Sequence, residues 1–268
     1  MLGYCLIFYL FNKVLNYVLK TRIIPTLLYK DLGLVKGVGF DSWRRVGSAM
    51  QSIKVYNMRE VDELVFLDIT ATQDSRQPDF HLIDDLADEC FMPLAVGGGI
   101  KTIEDVRKLL MVGADKVVVN SQAVVTPDLI SAIANQFGAQ SIVVSIDARK
   151  TKSGDYEIYT HAGKTPTGLC PKDMSRCAQE AGAGEILITS IDNDGTMEGY
   201  DLTLIEEISR TVSIPVIASG GAGKKGDFSD ALRCGASALA AASIFHFTEQ
   251  TPLEIKHHLK DQRFPVRV

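Results

Sequence analysis

The sequence predicts an α/β fold, a (β/α)8 TIM barrel built from two repeated half-barrels, and three observations carry the prediction. Short apolar runs alternate with amphipathic helical stretches eight times, the pattern of a closed parallel barrel. The glycine-rich segment Val96-Gly97-Gly98-Gly99-Ile100 recurs as Ser219-Gly220-Gly221-Ala222-Gly223 in matching surroundings. The chain has 268 residues, close to the roughly 250 that one such barrel needs.

The expected strands are Arg22–Leu28, Glu63–Asp68, Pro93–Val96, Lys116–Val119, Ser141–Asp147, Glu185–Ser190, Pro215–Ala218 and Ala238–Ala241. They are near-continuous apolar runs, as expected of parallel strands covered on both faces. Between them lie helical patterns such as Thr102–Met111, where Thr102 and Asp105 form a capping-box-like start, and Thr126–Phe137. The repeat extends to single residues. Asp62-Glu63-Leu64-Val65-Phe66-Leu67-Asp68 matches Gly184-Glu185-Ile186-Leu187-Ile188-Thr189-Ser190, and Asn120-Ser121 matches Ala242-Ser243. No linker interrupts the barrel, expected over 21–268 with half-barrels of about 21–140 and 141–268.

Composition narrows the function classes. With 46% hydrophobic and 23% charged residues, a net charge of −5 and no basic run, the chain fits a globular enzyme and not a nucleic-acid binder. The cysteines Cys5, Cys90, Cys170, Cys177 and Cys234 are odd in number and never spaced as CxxC. They read as reduced thiols of a cytoplasmic protein, and no metal site or cofactor is evident. Residues 1–20 form an apolar N-terminal extension. Asn12 and Lys13 cut its apolar run far short of the ~20 residues a membrane span needs.

Barrel enzymes keep their chemistry at the C-terminal ends of the strands. Two phosphate-gripping sites are expected there: Gly97, Gly98 and Gly99 with Asn120 and Ser121, and Gly220, Gly221, Ala242 and Ser243 helped by Asp194-Gly195-Thr196. Glycines let backbone N–H groups approach a phosphate, and a following helix N-terminus adds a favourable dipole. Two such sites on one mouth call for a bisphosphorylated small molecule.

Several segments together resemble the HisF-type cyclase subunit of imidazole glycerol phosphate synthase: Asp62 to Thr70, Val96 to Ile100, Ser145-Ile146-Asp147-Ala148-Arg149-Lys150, Thr189 to Thr196, and Ser243-Ile244-Phe245-His246-Phe247. The resemblance covers residues 21–268. It implies a glutaminase (HisH-like) partner on the bottom face of the barrel, and ammonia passing upward to a bisphosphorylated ribulosyl-formimino substrate. It also implies an ammonia gate of Arg22, Glu63, Lys116 and Glu185, at the N-terminal starts of four strands, and a partner contact at Asp115. Lys36 matches a loop lysine that closes over substrate.

The family places two aspartates across the mouth. Asp147 is one. Counting along Arg22-Ile23-Ile24-Pro25-Thr26-Leu27-Leu28, the position of the other is Leu28, which is also the half-barrel partner of Asp147. Leucine transfers no proton, and a general acid–base group is worth ~10²–10⁴-fold in rate. Asp31, three residues on in the first loop, is a candidate substitute. The stretch Leu27 to Lys36 also resembles paralogues that supply ammonia to a sugar amidotransferase making acetamidino groups on surface sugars. Asp68 and Asp192 are candidate supporting groups, and His246 reads as a packed histidine. Trp43, Arg44 and Arg45 read as the solvated edge of a lid.

Overall fold

The computed structural model describes residues 20–268, so the expected N-terminal extension, Cys5 included, lies outside the described residues apart from Lys20. Eight parallel strands close on themselves. They are β1 (Arg22–Lys30), β4 (Leu64–Asp68), β5 (Leu94–Gly97), β6 (Lys116–Val119), β7 (Ile142–Lys150), β10 (Glu185–Ser190), β11 (Val216–Ser219) and β12 (Ala238–Ala241). Each pairs with the next, and β12 returns to pair in parallel with β1 from Arg22↔Ala238 to Pro25↔Ala241. The crossovers are helices: α1 (Ala49–Met58), α2 (Phe80–Asp88), α3 (Ile103–Met111), α4 (Ser121–Val125), α5 (Asp128–Phe137), α6 (Pro171–Glu180), α7 (Leu202–Thr211) and α8 (Lys225–Arg233). Two more, α9 (Ser243–Phe247) and α10 (Pro252–Asp261), end the chain.

All eight expected strands are present, shifted by at most a few residues. The Thr102 cap is a full capping box: its hydroxyl accepts from Asp105 N at 3.2 Å, and the Asp105 carboxylate accepts from Thr102 N at 2.9 Å. The same carboxylate also accepts from Lys101 N, and Asp227 repeats this on Gly223 N and Lys224 N in the second half. Each buried aspartate thus fastens a glycine-rich turn to the helix that follows it.

The register proves the twofold relation. Leu28 of β1 pairs with Leu67, and Asp147 of β7 pairs with Thr189. Since Leu67 and Thr189 occupy equivalent places in the repeat, so do Leu28 and Asp147.

Side chains on a strand alternate between faces, so inward positions recur every second residue. The innermost cluster takes residues from every barrel strand: Ile24, Val65, Ala95, Val118, Val143, Leu187, Ile217, Ala238 and Ala240. Two residues below it on four strands stand Arg22, Glu63, Lys116 and Glu185; two residues above stand Thr26, Ser145, Thr189 and Ser219. An apolar septum therefore separates a charged floor from a hydroxyl-rich mouth.

Two features differ from the sequence expectation. The first loop is a hairpin, in which β1 turns back into β2 (Gly33–Val38), itself antiparallel to β3 (Asp41–Gly47). The second half repeats the device, β7 running into β8 (Tyr156–Thr160) and then β9 (Thr165–Pro166). Of these strands, β3 is exposed at most positions and no apolar run betrays it, whereas β2 is buried at every position but Val38.

Among the described residues no helix is long and apolar enough to cross a membrane, no metal-binding group of His, Cys, Asp or Glu occurs, and Cys90, Cys170, Cys177 and Cys234 are free.

Candidate active site at the barrel mouth

One cavity at the C-terminal ends of the strands gathers both glycine-rich turns and the central carboxylate. Its wall includes Gly98, Gly99, Asn120 and Ser121 on one side and Asp194, Gly195, Gly220, Gly221, Ala242 and Ser243 on the other, with Leu28 and Asp147 between. Gly97 does not reach it. That residue closes β5 opposite Val118, where an added Cβ would meet Leu67 and Val118 at 2.8 Å.

Both grips are built the same way. Gly98 has φ +110°, and a Cβ there would stand 2.3 Å from the Asp68 carbonyl oxygen. Gly220 has φ +90°, and its Cβ would stand 2.7 Å from the carbonyl oxygen of Ser190, the repeat partner of Asp68. Only glycine satisfies both the conformation and the contact. The Ser243 hydroxyl lines the cavity, buried and without a hydrogen-bond partner among the described residues. A buried orphan of this kind costs free energy until something supplies its bond. Thr26 carries another on the cavity wall.

Asp147 is buried, and burial pushes its carboxyl from the usual 3.8 up to about 7, against the pull of hydrogen bonds from Asn120 and Thr189. Asn120, expected to serve phosphate, spends its side-chain amide on Asp147 Oδ2 at 3.0 Å and on the Ser145 carbonyl at 3.1 Å. It orients the carboxyl. Across the mouth, Leu28 offers no donor or acceptor.

The two candidates from the first loop part ways. Asp31 sits on the β1–β2 turn at φ +45°, exposed and outside the cavity, with its carbonyl accepting from Arg45 Nη2. It does not stand in for the missing carboxylate. Lys36 belongs to β2 and is 3% exposed; its Nζ reaches both Asp194 oxygens at 2.6 Å. Gly39 N also donates to the Asp194 carbonyl at 2.8 Å. Asp194 therefore anchors the hairpin across the mouth, a role without local sequence signal because the partners lie 158 residues apart. Trp43, expected at a solvated edge, lines the cavity from β3, while Arg44 stacks over the Phe247 ring at 3.8 Å.

At the opposite end of the barrel the four charges form a closed ring. Arg22 reaches Glu63 at 2.5 Å and Glu185 at 2.7 Å, and Lys116 reaches both carboxylates at 3.1 Å. Burial works against the Arg22 charge, but Glu63 and Glu185 outweigh it and raise its pKa. Nearby Asp115 is exposed, and its carboxylate accepts from Leu94 N at 2.8 Å.

Asp68 accepts from Thr70 and Ala71 and pairs with Arg76, while Asp192 pairs with Arg149; both hold loops. His246 is half-buried, and burial, then Lys36, lowers its pKa.

The sequence profile of the histidine biosynthesis protein family matches residues 22–251. The chain belongs to that family. It is 49% identical over 249 residues to the imidazole glycerol phosphate synthase subunit HisF of Endomicrobium trichonymphae, covering 93% of this chain and 96% of that protein. The HisF subunits of Streptomyces griseus and Gluconacetobacter diazotrophicus are each 46% identical, again across 93% of this chain and 99% and 96% of theirs. Within this histidine-biosynthesis fold, the paired glycine grips and the Asp147 centre occupy the end of the barrel where such enzymes keep their chemistry.

Proposed function

We propose that this chain is the synthase–cyclase subunit of imidazole glycerol phosphate synthase, a cytoplasmic lyase of histidine biosynthesis. It uses ammonia from a HisH-like glutaminase docked on the barrel's bottom face. The substrate is the bisphosphorylated ribulosyl-formimino aminoimidazole carboxamide ribotide, and the products are imidazole glycerol phosphate and the carboxamide ribotide. The observation that carries the reading is one cavity that gathers both glycine turns, with the Asp147 carboxyl, raised by burial to about 7, between them.

Each residue then has a task. Gly98, Gly99 and Ser121 take one phosphate through backbone N–H groups and the start of α4. Gly220, Gly221, Ala242, Ser243 and Gly195 take the other, and the Ser243 hydroxyl gains its missing bond. The ring of Arg22, Glu63, Lys116 and Glu185 admits ammonia, with Asp115 in the partner contact. The apolar septum passes neutral ammonia and opposes ammonium, whose desolvation is far costlier. Ammonia attacks the ribulosyl carbonyl, and Asp147 moves the protons of ring closure. A carboxyl held near pH 7 is poised for that work.

Leu28 favours a second reading. With one of two proton-transfer groups missing, the barrel could bind its ligand and conduct ammonia to a sugar amidotransferase while turning over little. An ammonia-dependent cyclase assay on the isolated chain, beside Leu28→Asp, separates the two. Wild-type turnover, slowed by the leucine but present, supports the first reading, and a wild type with no turnover that aspartate revives supports the second.

A further inference from the structure

We propose that Trp43 is the residue that selects a ligand carrying a planar heteroaromatic ring, by stacking its indole on that ring inside the cavity. The proposal rests on the bisphosphate reading of the same cavity and deepens it. Strand β3 is exposed at most of its positions, yet Trp43 is half-buried and lines the cavity. It is the chain's single tryptophan. The hairpin that carries it is held across the mouth at both flanks. Lys36 grips Asp194 at 2.6 Å, and Arg44, the neighbour of Trp43, stacks on Phe247 beside the second phosphate grip. The ring is also packed on its own hairpin: a Cβ on Gly37 would meet Trp43 Cε3 at 3.0 Å. The indole is thus a preplaced surface, needing little ordering when a ligand arrives.

The chemistry of the surrounding wall explains what such a surface gains. Phosphate grips read the ends of a ligand and say nothing about its middle. Leu28 adds apolar surface to the wall of the same cavity, and a ring stacked on the indole there loses water from the stacked face. Stacking of a heteroaromatic base on an aromatic side chain is worth roughly tenfold or more in affinity. Chains of the same length bearing two phosphates but no ring would forgo that gain.

The test uses three probes: the aminoimidazole carboxamide ribotide, glycerol 3-phosphate and inorganic phosphate. Tryptophan emission of the wild type should be quenched saturably by the ribotide and little by the other two. Calorimetry on Trp43→Ala should show ~10-fold weaker ribotide binding with phosphate and glycerol 3-phosphate unchanged. Trp43→Phe, which keeps a ring, should restore most of the loss and shows that the hairpin is folded. Ribotide binding by Trp43→Ala at wild-type strength overturns the proposal, as does equal weakening for all three probes, which marks a structural role. If the wild type binds none of the probes, the phosphate reading of the cavity falls, and the proposal falls with it.

Discussion

Replacing Asp147 by asparagine should make the protein more stable at pH 8 and leave it nearly unchanged near pH 4. Burial raises the Asp147 carboxyl from 3.8 to about 7. A group whose folded pKa lies above its unfolded value contributes its stability below the unfolded pKa and loses it as pH rises through the folded one. The window is therefore about pH 4 to 7. At ~1.4 kcal/mol per pKa unit, the charged carboxylate costs on the order of 4 kcal/mol above pH 7, an upper bound. Asparagine avoids the charge and still accepts from Asn120 through its carbonyl. In a barrel of this size each kcal/mol moves Tm by about 2–4 °C, so Tm at pH 8 should rise by several degrees. Thermal unfolding of both proteins at pH 4 and pH 8 measures this. A Tm gain equal at the two pH values, or a loss at pH 8, would refute the view that the site holds a desolvated, proton-hungry carboxyl.

The buried Lys36–Asp194 pair should show the cost of an unmatched charge. Lys36→Met strands the Asp194 carboxylate, and the loss should be about 3–5 kcal/mol by chemical denaturation. The double variant with Asp194→Asn should recover much of it, and additive losses would contradict the pairing. At the floor, Lys116→Ala removes one side of the charged ring while Arg22 still bridges Glu63 and Glu185. In complex with the glutaminase, product formed per glutamine hydrolysed should fall while the reaction driven by added ammonia persists. An unchanged ratio means that the ring closes the barrel end and does not gate it.

The barrel was legible because its eight strands are buried on both faces and so are written as continuous apolar runs such as Ala238–Ala241. The two glycine turns were legible because geometry leaves Gly98 and Gly220 no alternative. What escaped was set by distant partners. Lys36 reads as a loop charge until Asp194 meets it from across the mouth. Asn120 reads as a phosphate ligand until the amide is seen bonded to Asp147. Of the hairpin strands, β2 and β8 carry apolar residues that a reading confined to the eight barrel strands passed over, whereas β3 is exposed at most positions and lacks a strand signature. Trp43 was placed at a solvated edge for the same reason.

The central claim is that the two halves match in gripping phosphate and differ at the proton-transfer centre, where Leu28 faces Asp147. Ammonia-dependent cyclase turnover of the wild type against Leu28→Asp tests it most directly. The account predicts that the aspartate variant is faster by ~10²–10⁴-fold, the worth of one general acid–base group, with phosphate-ligand affinity unchanged. Wild-type turnover equal to or above that of Leu28→Asp would contradict it.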